Sequence, residues 1–258
     1  MQKFLLFFLI WNTVMIFSID KERPIFFTSM GKSGTHLLAK CLKLITKKNP
    51  TLNMGGFIKN DIVDYTSIKN SSGNYFFHQH QYYSNGAIEM IEKCNFVTFF
   101  LMRDPRDVIV SSMHWVFKHK DSKLPIGDIY RKFRTSNEIL KFFIERSTIL
   151  SYKRFWGWLS HPNVCTIRYE NLVGTKGGGN SKSQRDEIIK ICNHLKMKLS
   201  DKQISYVCQN AFGDKVGTFR KGQIGSWKTH FTNEHKELFK KVWGNLLIDL
   251  GYEKDMNW

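Results

Sequence analysis

The sequence predicts an α/β fold three layers deep, α/β/α, in which helices cover both faces of a mainly parallel sheet. Two observations carry the prediction. Short apolar runs that read as strands alternate with longer segments whose apolar residues recur at helical spacing, the pattern of strand-helix-strand units. One of those runs, Phe96-Val-Thr-Phe-Phe-Leu101, is apolar without alternation, as a strand buried on both faces must be.

The elements follow in order. Pro24-Ile-Phe-Phe-Thr28 reads as a buried strand, followed by a glycine-containing turn and an apolar helix over 35–47. A second strand is predicted at Asn74–Phe77 and a third at Phe96–Leu101. Asp104-Pro105 then starts a helix, with Asp as N-cap and Pro at the first helical position. Helical spacing dominates 128–159, Val164–Tyr169 reads as another strand, the Gly-, Ser- and Lys-rich stretch 174–183 as a flexible loop, and 185–199 as a further helix. No internal repeat is visible.

The chain has 258 residues, 42% of them hydrophobic, enough for one sizeable core, so residues 20–258 are expected to form a single domain. Residues 1–19 stand apart. Phe4 to Phe17 is almost wholly apolar behind Lys3, too short for a comfortable membrane span and of the length of a signal-peptide core. The expectation is a signal peptide or N-terminal membrane segment, with export, the secretory pathway or membrane association as its consequence. A buried N-terminal helix is the alternative and would leave the chain cytoplasmic. The formal charge of +17 favours anionic ligands or surfaces without choosing among them. Five cysteines with no Cys-x-x-Cys spacing argue against a disulfide framework and a zinc site.

Three segments carry chemistry. Ser29-Met-Gly-Lys-Ser-Gly-Thr-His36 lies where a strand ends and a helix begins, so backbone N–H groups and the helix dipole favour an anion, and Lys32 adds a cation. This makes it a phosphate-binding loop after the first strand. A nucleotide-triphosphate loop needs a glycine five positions before its final Gly-Lys-Ser, and that position is Phe26. The second segment, Arg103-Asp-Pro-Arg-Asp-Val-Ile-Val-Ser111, sits at the carboxyl end of a strand, where open α/β sheets bind ligands. Arg103 and Ser111 are donors for a phosphate there, although ion pairing of Arg103 or Arg106 with Asp104 or Asp107 is the plainer reading. The third, Phe219-Arg-Lys-Gly-Gln-Ile-Gly-Ser-Trp227, offers Arg220, Lys221 and the Gly222 amide to a terminal phosphate monoester. Alone it reads equally well as a solvated turn or a polyanion-binding surface.

Taken in order, these segments resemble the sulfotransferase superfamily that includes the cytosolic sulfotransferases, with Tyr169-Glu-Asn-Leu-Val-Gly174 similar to bacterial-type members. The resemblance spans Pro24 to Asp249. It implies a donor site for 3′-phosphoadenosine 5′-phosphosulfate, whose 5′-phosphosulfate is held by Lys32, Ser33, Gly34, Thr35 and His36. The 3′-phosphate is then held by Arg103, Ser111, Arg220, Lys221 and Gly222, and the adenine by Phe212 and Tyr169; Leu37 replaces the family's tryptophan. It also implies that a histidine after a strand is the catalytic base. His80 has the right offset from Arg103, and His78 stands where the family has lysine. Histidine titrates near working pH and Lys32 meets the leaving charge, so no metal is expected; His78-x-His80 has no third ligand of suitable spacing. The expected acceptor is a small molecule or glycan bearing a hydroxyl or amine, with no specific nucleic acid, and its pocket is expected from 53–72 and 114–134. The rivals are a P-loop nucleotide kinase, marked by magnesium dependence with ATP, and a basic polyanion-binding protein that lacks donor binding.

Overall fold

The computed structural model describes residues 23–50, 58–59, 62–65, 68, 75–146, 152–213 and 221–258. Its centre is a parallel sheet of five strands in the order β2-β5-β1-β6-β7, formed by β1 (Ile25–Ser29), β2 (Asn49–Pro50), β5 (Tyr75–Gln79), β6 (Val97–Met102) and β7 (Val164–Arg168). Two short strands, β3 (Ile58–Lys59) and β4 (Ile62–Val63), pair separately and antiparallel. The α/β class and parallel sheet expected from the sequence are both present.

Every residue of β1 and β6 is buried, because neighbouring side chains point to opposite faces and both faces are covered. Phe26, Phe77 and Phe100 enter one core with α2 (Asn85–Lys93), α3 (Pro105–Lys118), α5 (Ser136–Arg146) and α6 (Tyr152–Ser160). Phe27, Phe76 and Phe99 enter the other, against α1 (Thr35–Thr46), α8 (Ser181–His194) and α9 (Asp201–Ala211). The first core also takes in α4 (Pro125–Lys132), α10 (Trp227–His230), α11 (Asn233–Trp243) and α12 (Leu246–Asp249), and the second the one-turn helix α7 (Tyr169–Leu172).

Several boundaries differ from the sequence expectation, each for a local reason. The helical stretch 128–159 contains three helices among the described residues, α4 opening with Pro125 in its first turn. The last strand stops at Arg168, and Tyr169 begins α7. The Gly-rich stretch expected as a flexible loop is a hydrogen-bonded turn: Gly177 and Gly179 N–H both donate to the Gly174 carbonyl, and the Asn180 side chain caps α8 by accepting from Ser183 N–H at 2.7 Å. β5 runs two residues further than expected, to Gln79. All five cysteines are free, and no cluster that would hold a metal ion occurs among the described residues. No helix of the described residues is long and apolar enough to cross a membrane. The leader, 1–19, lies outside them.

Candidate active site

The site forms at the carboxyl edge of the sheet, where β1, β5, β6 and β7 end together. After Ser29 the chain turns through Met30–Gly34 into α1. Gly34 is the N-cap, in the left-handed region at φ 98°, and a Cβ there would lie 2.3 Å from the Tyr169 ring. Both constraints demand glycine. No side chain caps α1 and its first turn has no acidic residue, so its positive end faces the loop without an internal anion. Ser33 Oγ is buried and without a hydrogen-bond partner. Burial of that kind is costly unless a ligand supplies the partner.

Lys32 continues the same theme. Its Nζ lies 5.0 Å over the Trp115 ring of α3. Burial, then the charges of Arg103 and Lys118, push its pKa down to about 8. The charged groups that act on it are cations, so the pocket is short of negative charge. Burial, then Lys32 and His80, lower His36; burial, then His36 and His80, lower His78. Both imidazoles therefore favour the neutral form, which leaves the positive charge at the loop to Lys32 and Arg103.

Arg103 emerges from the end of β6 and joins the three segments. Its Nη1 donates to the Lys32 carbonyl at 3.2 Å and its Nη2 to the Gln223 carbonyl at 3.0 Å. The guanidinium also lies 4.3 Å over the Tyr169 ring, whose hydroxyl donates to the Gly222 carbonyl at 2.7 Å. Asp107, one helical turn on, accepts from Gly225 N–H at 2.7 Å and Trp227 N–H at 3.0 Å. On its other side the 222–227 loop is tied to the Gly-rich turn through Ile224 N–H and the Gly177 carbonyl.

His80 is the first residue beyond β5, and its Nδ1 lies 2.7 Å from the Ser29 carbonyl. A carbonyl only accepts, so Nδ1 carries a proton, and in the neutral ring the lone pair is then on Nε2. The segment is fixed from both sides. Thr28 Oγ1 accepts from Gln81 N–H at 2.9 Å and donates to the Gln81 carbonyl, and Trp158 Nε1–H donates to that carbonyl at 3.0 Å. His80 is exposed, whereas His78 is half-buried and stacks on Phe27 with ring centroids 5.2 Å apart.

Lys32, Ser33, Gly34, Thr35, His36, His80, Arg103, Tyr169 and Gly222 are thus gathered at one sheet edge. Thr35 Oγ1 lies 3.0 Å from Ser29 Oγ, linking helix to strand. Ser111 is half-buried on α3, one turn before Trp115, and Lys221 is exposed beside Gly222. Phe212 is the C-cap of α9 and, like Leu37, packs against the margin of the second core. Arg220 and most of 53–72 lie outside the described residues. The ion pairing expected within the second segment exists but is buried: Arg106 pairs with Asp104 at 2.7 Å and Arg103 lies 3.9 Å from Asp107, while Glu253 from outside the segment pairs with Arg106 at 2.5 Å. Asp104 also caps α3, accepting from Arg106 N–H at 2.9 Å. The sequence reading missed Asp107 as the anchor of the third segment, the Trp115 seat of Lys32, and the Thr28–Gln81 clamp under His80.

Comparison with known proteins identifies the family and the fold. A family profile described as "Sulfotransferase domain" matches residues 22–251. Among curated proteins, the chain is 23% identical to human Sulfotransferase 2A1 over 91% of its own length and 88% of the relative's. It is also 23% identical to the rabbit Amine sulfotransferase, over 89% and 82%. Among solved structures, a mouse sulfotransferase complexed with PAP matches with TM-score 0.65 and 21% identity, covering 90% of this chain and 87% of that one. Retinol dehydratase in complex with androsterone and PAP matches at 0.56 and 18% identity, over 88% and 81%.

The Gly34–Tyr169 contact makes a direct prediction. Gly34→Ala combines a left-handed residue with overpacking against a ring stacked on Arg103, and should cost roughly 2–4 kcal/mol. Urea unfolding measures it; a loss below about 0.5 kcal/mol, the scale of an ordinary surface substitution, would show that the ring is not tightly held.

Proposed function

The chain belongs to the sulfotransferase domain family, and on that premise we propose that it moves a sulfuryl group from 3′-phosphoadenosine 5′-phosphosulfate to a hydroxyl or amine acceptor, with His80 as general base. The observation that carries the base assignment is the Nδ1–H of His80 held on the Ser29 carbonyl at 2.7 Å. That bond fixes the tautomer and leaves Nε2 as the proton acceptor, on an exposed residue beside the phosphate-binding loop.

The residues present suit this donor. The uncapped start of α1, the buried Ser33 hydroxyl and Lys32 converge where a phosphosulfate would sit. Arg103 with the Gly222 loop forms a second cationic region, for the 3′-phosphate, with Ser111, Lys221 and Arg220 as its further residues. PAP in the solved neighbours supports the choice of donor, and the rabbit Amine sulfotransferase among the relatives supports an amine as an acceptor group. In the reaction the acceptor oxygen or nitrogen attacks sulfur while the sulfur–oxygen bond to the 5′-phosphate breaks. The acceptor proton passes to His80 Nε2, and adenosine 3′,5′-bisphosphate leaves. Lys32 meets the charge that grows on the departing phosphate.

Two predictions test this reading. A positioned base contributes ~10² to 10⁴-fold, so His80→Ala should lose about that much turnover while still binding adenosine 3′,5′-bisphosphate in calorimetry, and His78→Ala should lose less. Abolished turnover in His78→Ala with an active His80→Ala would reverse the assignment.

The second concerns Lys32, whose free pKa is about 8. An anion beside it raises that value, so affinity is full below the free pKa and falls as pH rises through it, by about tenfold per unit until the bound pKa is passed. One proton is then taken up per bisphosphate bound near pH 9. Calorimetry in buffers of different ionisation enthalpy reads this directly, and binding without proton uptake would remove Lys32 from the contact.

A further inference from the structure

The second segment buries two arginines, and only Arg103 faces the loop. Arg106 is 2% exposed and is enclosed on all sides. Its guanidinium lies 3.8 Å over the Trp227 ring and 4.6 Å over the Trp258 ring, and its nitrogens pair with Asp104 and Glu253. Trp258 stands edge-on to Trp227 at 5.7 Å and to Phe239 at 5.8 Å, with Lys240 Nζ 5.3 Å from its ring. The segment that carries it is fastened as well, through the Tyr252 hydroxyl and Glu170 at 3.2 Å.

Trp227 is also the residue whose backbone N–H reaches Asp107, at the end of the loop that presents the Gln223 carbonyl to Arg103 and the Gly222 carbonyl to Tyr169. Loop and clamp therefore share one residue, the loop through its backbone N–H and the clamp through its indole. A planar cation between two indoles is held in orientation as well as in place, because the ring faces attract it while two carboxylates fix its edge. If the Trp258 side is opened, Arg106 loses one wall and Trp227 loses its edge contact. The 222–227 loop then loses the support of its Trp227 side chain, with the backbone bonds to Asp107 left to hold it.

We propose that Trp258 and Glu253, by closing the cage around Arg106, are positioning residues for the 3′-phosphate half of the donor site. Neither touches the donor; they act through Trp227. The inference rests on the donor reading above and goes beyond it by assigning a function to the 251–258 segment.

The test compares two nucleotides on full-length variants: adenosine 3′,5′-bisphosphate and adenosine 5′-phosphate, which lacks the 3′ group. Trp258→Ala should weaken the bisphosphate about tenfold, close to 1.4 kcal/mol, and leave the monophosphate unchanged. Trp258→Phe should restore most of the loss, and Glu253→Gln should reproduce part of it. An equal loss for both nucleotides, or none for the bisphosphate, would overturn the proposal. Should Trp258→Ala not fold, the Phe and Gln variants decide alone: a bisphosphate affinity in Glu253→Gln equal to the unaltered chain overturns it. An unaltered chain that does not distinguish the two nucleotides defeats the donor reading itself, and this inference with it.

Discussion

One guanidinium governs the site. Arg103 ends a central strand, and there its two terminal nitrogens meet the Lys32 and Gln223 carbonyls while its face covers Tyr169. Three stretches far apart in the chain are brought to one place by it. A lysine could not do this, since a point charge has neither the fork nor the flat face. The arrangement turns its neighbours' carbonyls toward Arg103. Behind it, Asp107 binds the N–H groups of Gly225 and Trp227, so the returning loop is held from both ends.

The electrostatics follow from this packing. Lys32 and Arg103 are placed close together; Arg103 is buried with Asp107 at 3.9 Å, while the charges that act on half-buried Lys32 are those of Arg103 and Lys118. Lys32 responds by shifting toward neutrality, to about 8, and the neighbouring histidines shift down with it. His80 stands outside the crowded part, exposed, with its tautomer set by a strand-end carbonyl. On the proposed reading, charge recognition and proton transfer fall to different residues, set apart along the sheet edge.

Much of this was legible in the sequence where the cause is local. Gly34, the Asp104 cap and Pro105 follow from backbone chemistry within a few residues, and Phe26 in place of a glycine belongs to a fully buried strand position. The histidines were harder. His78 and His80 share strand parity, yet β5 stops at Gln79, so His78 stacks on Phe27 while His80 turns to Ser29. What sequence could not show is tertiary: Asp107 reads as an ordinary helix-start acid because its partners lie 118 and 120 residues away. Tyr169, expected at the adenine through resemblance, has a ring pressed on Gly34 and a hydroxyl on Gly222, contacts that no periodicity encodes. Nothing near Trp258 announces that it covers Arg106.

The central claim is that Arg103 joins the first and third segments into one anion site, and hydrogen exchange on Arg103→Lys tests it most directly. The account predicts that amides of 31–37 and 222–227 lose protection in this variant while those of β1 and β6 keep theirs, with affinity for adenosine 3′,5′-bisphosphate falling in parallel. Unchanged protection in both loops would contradict it.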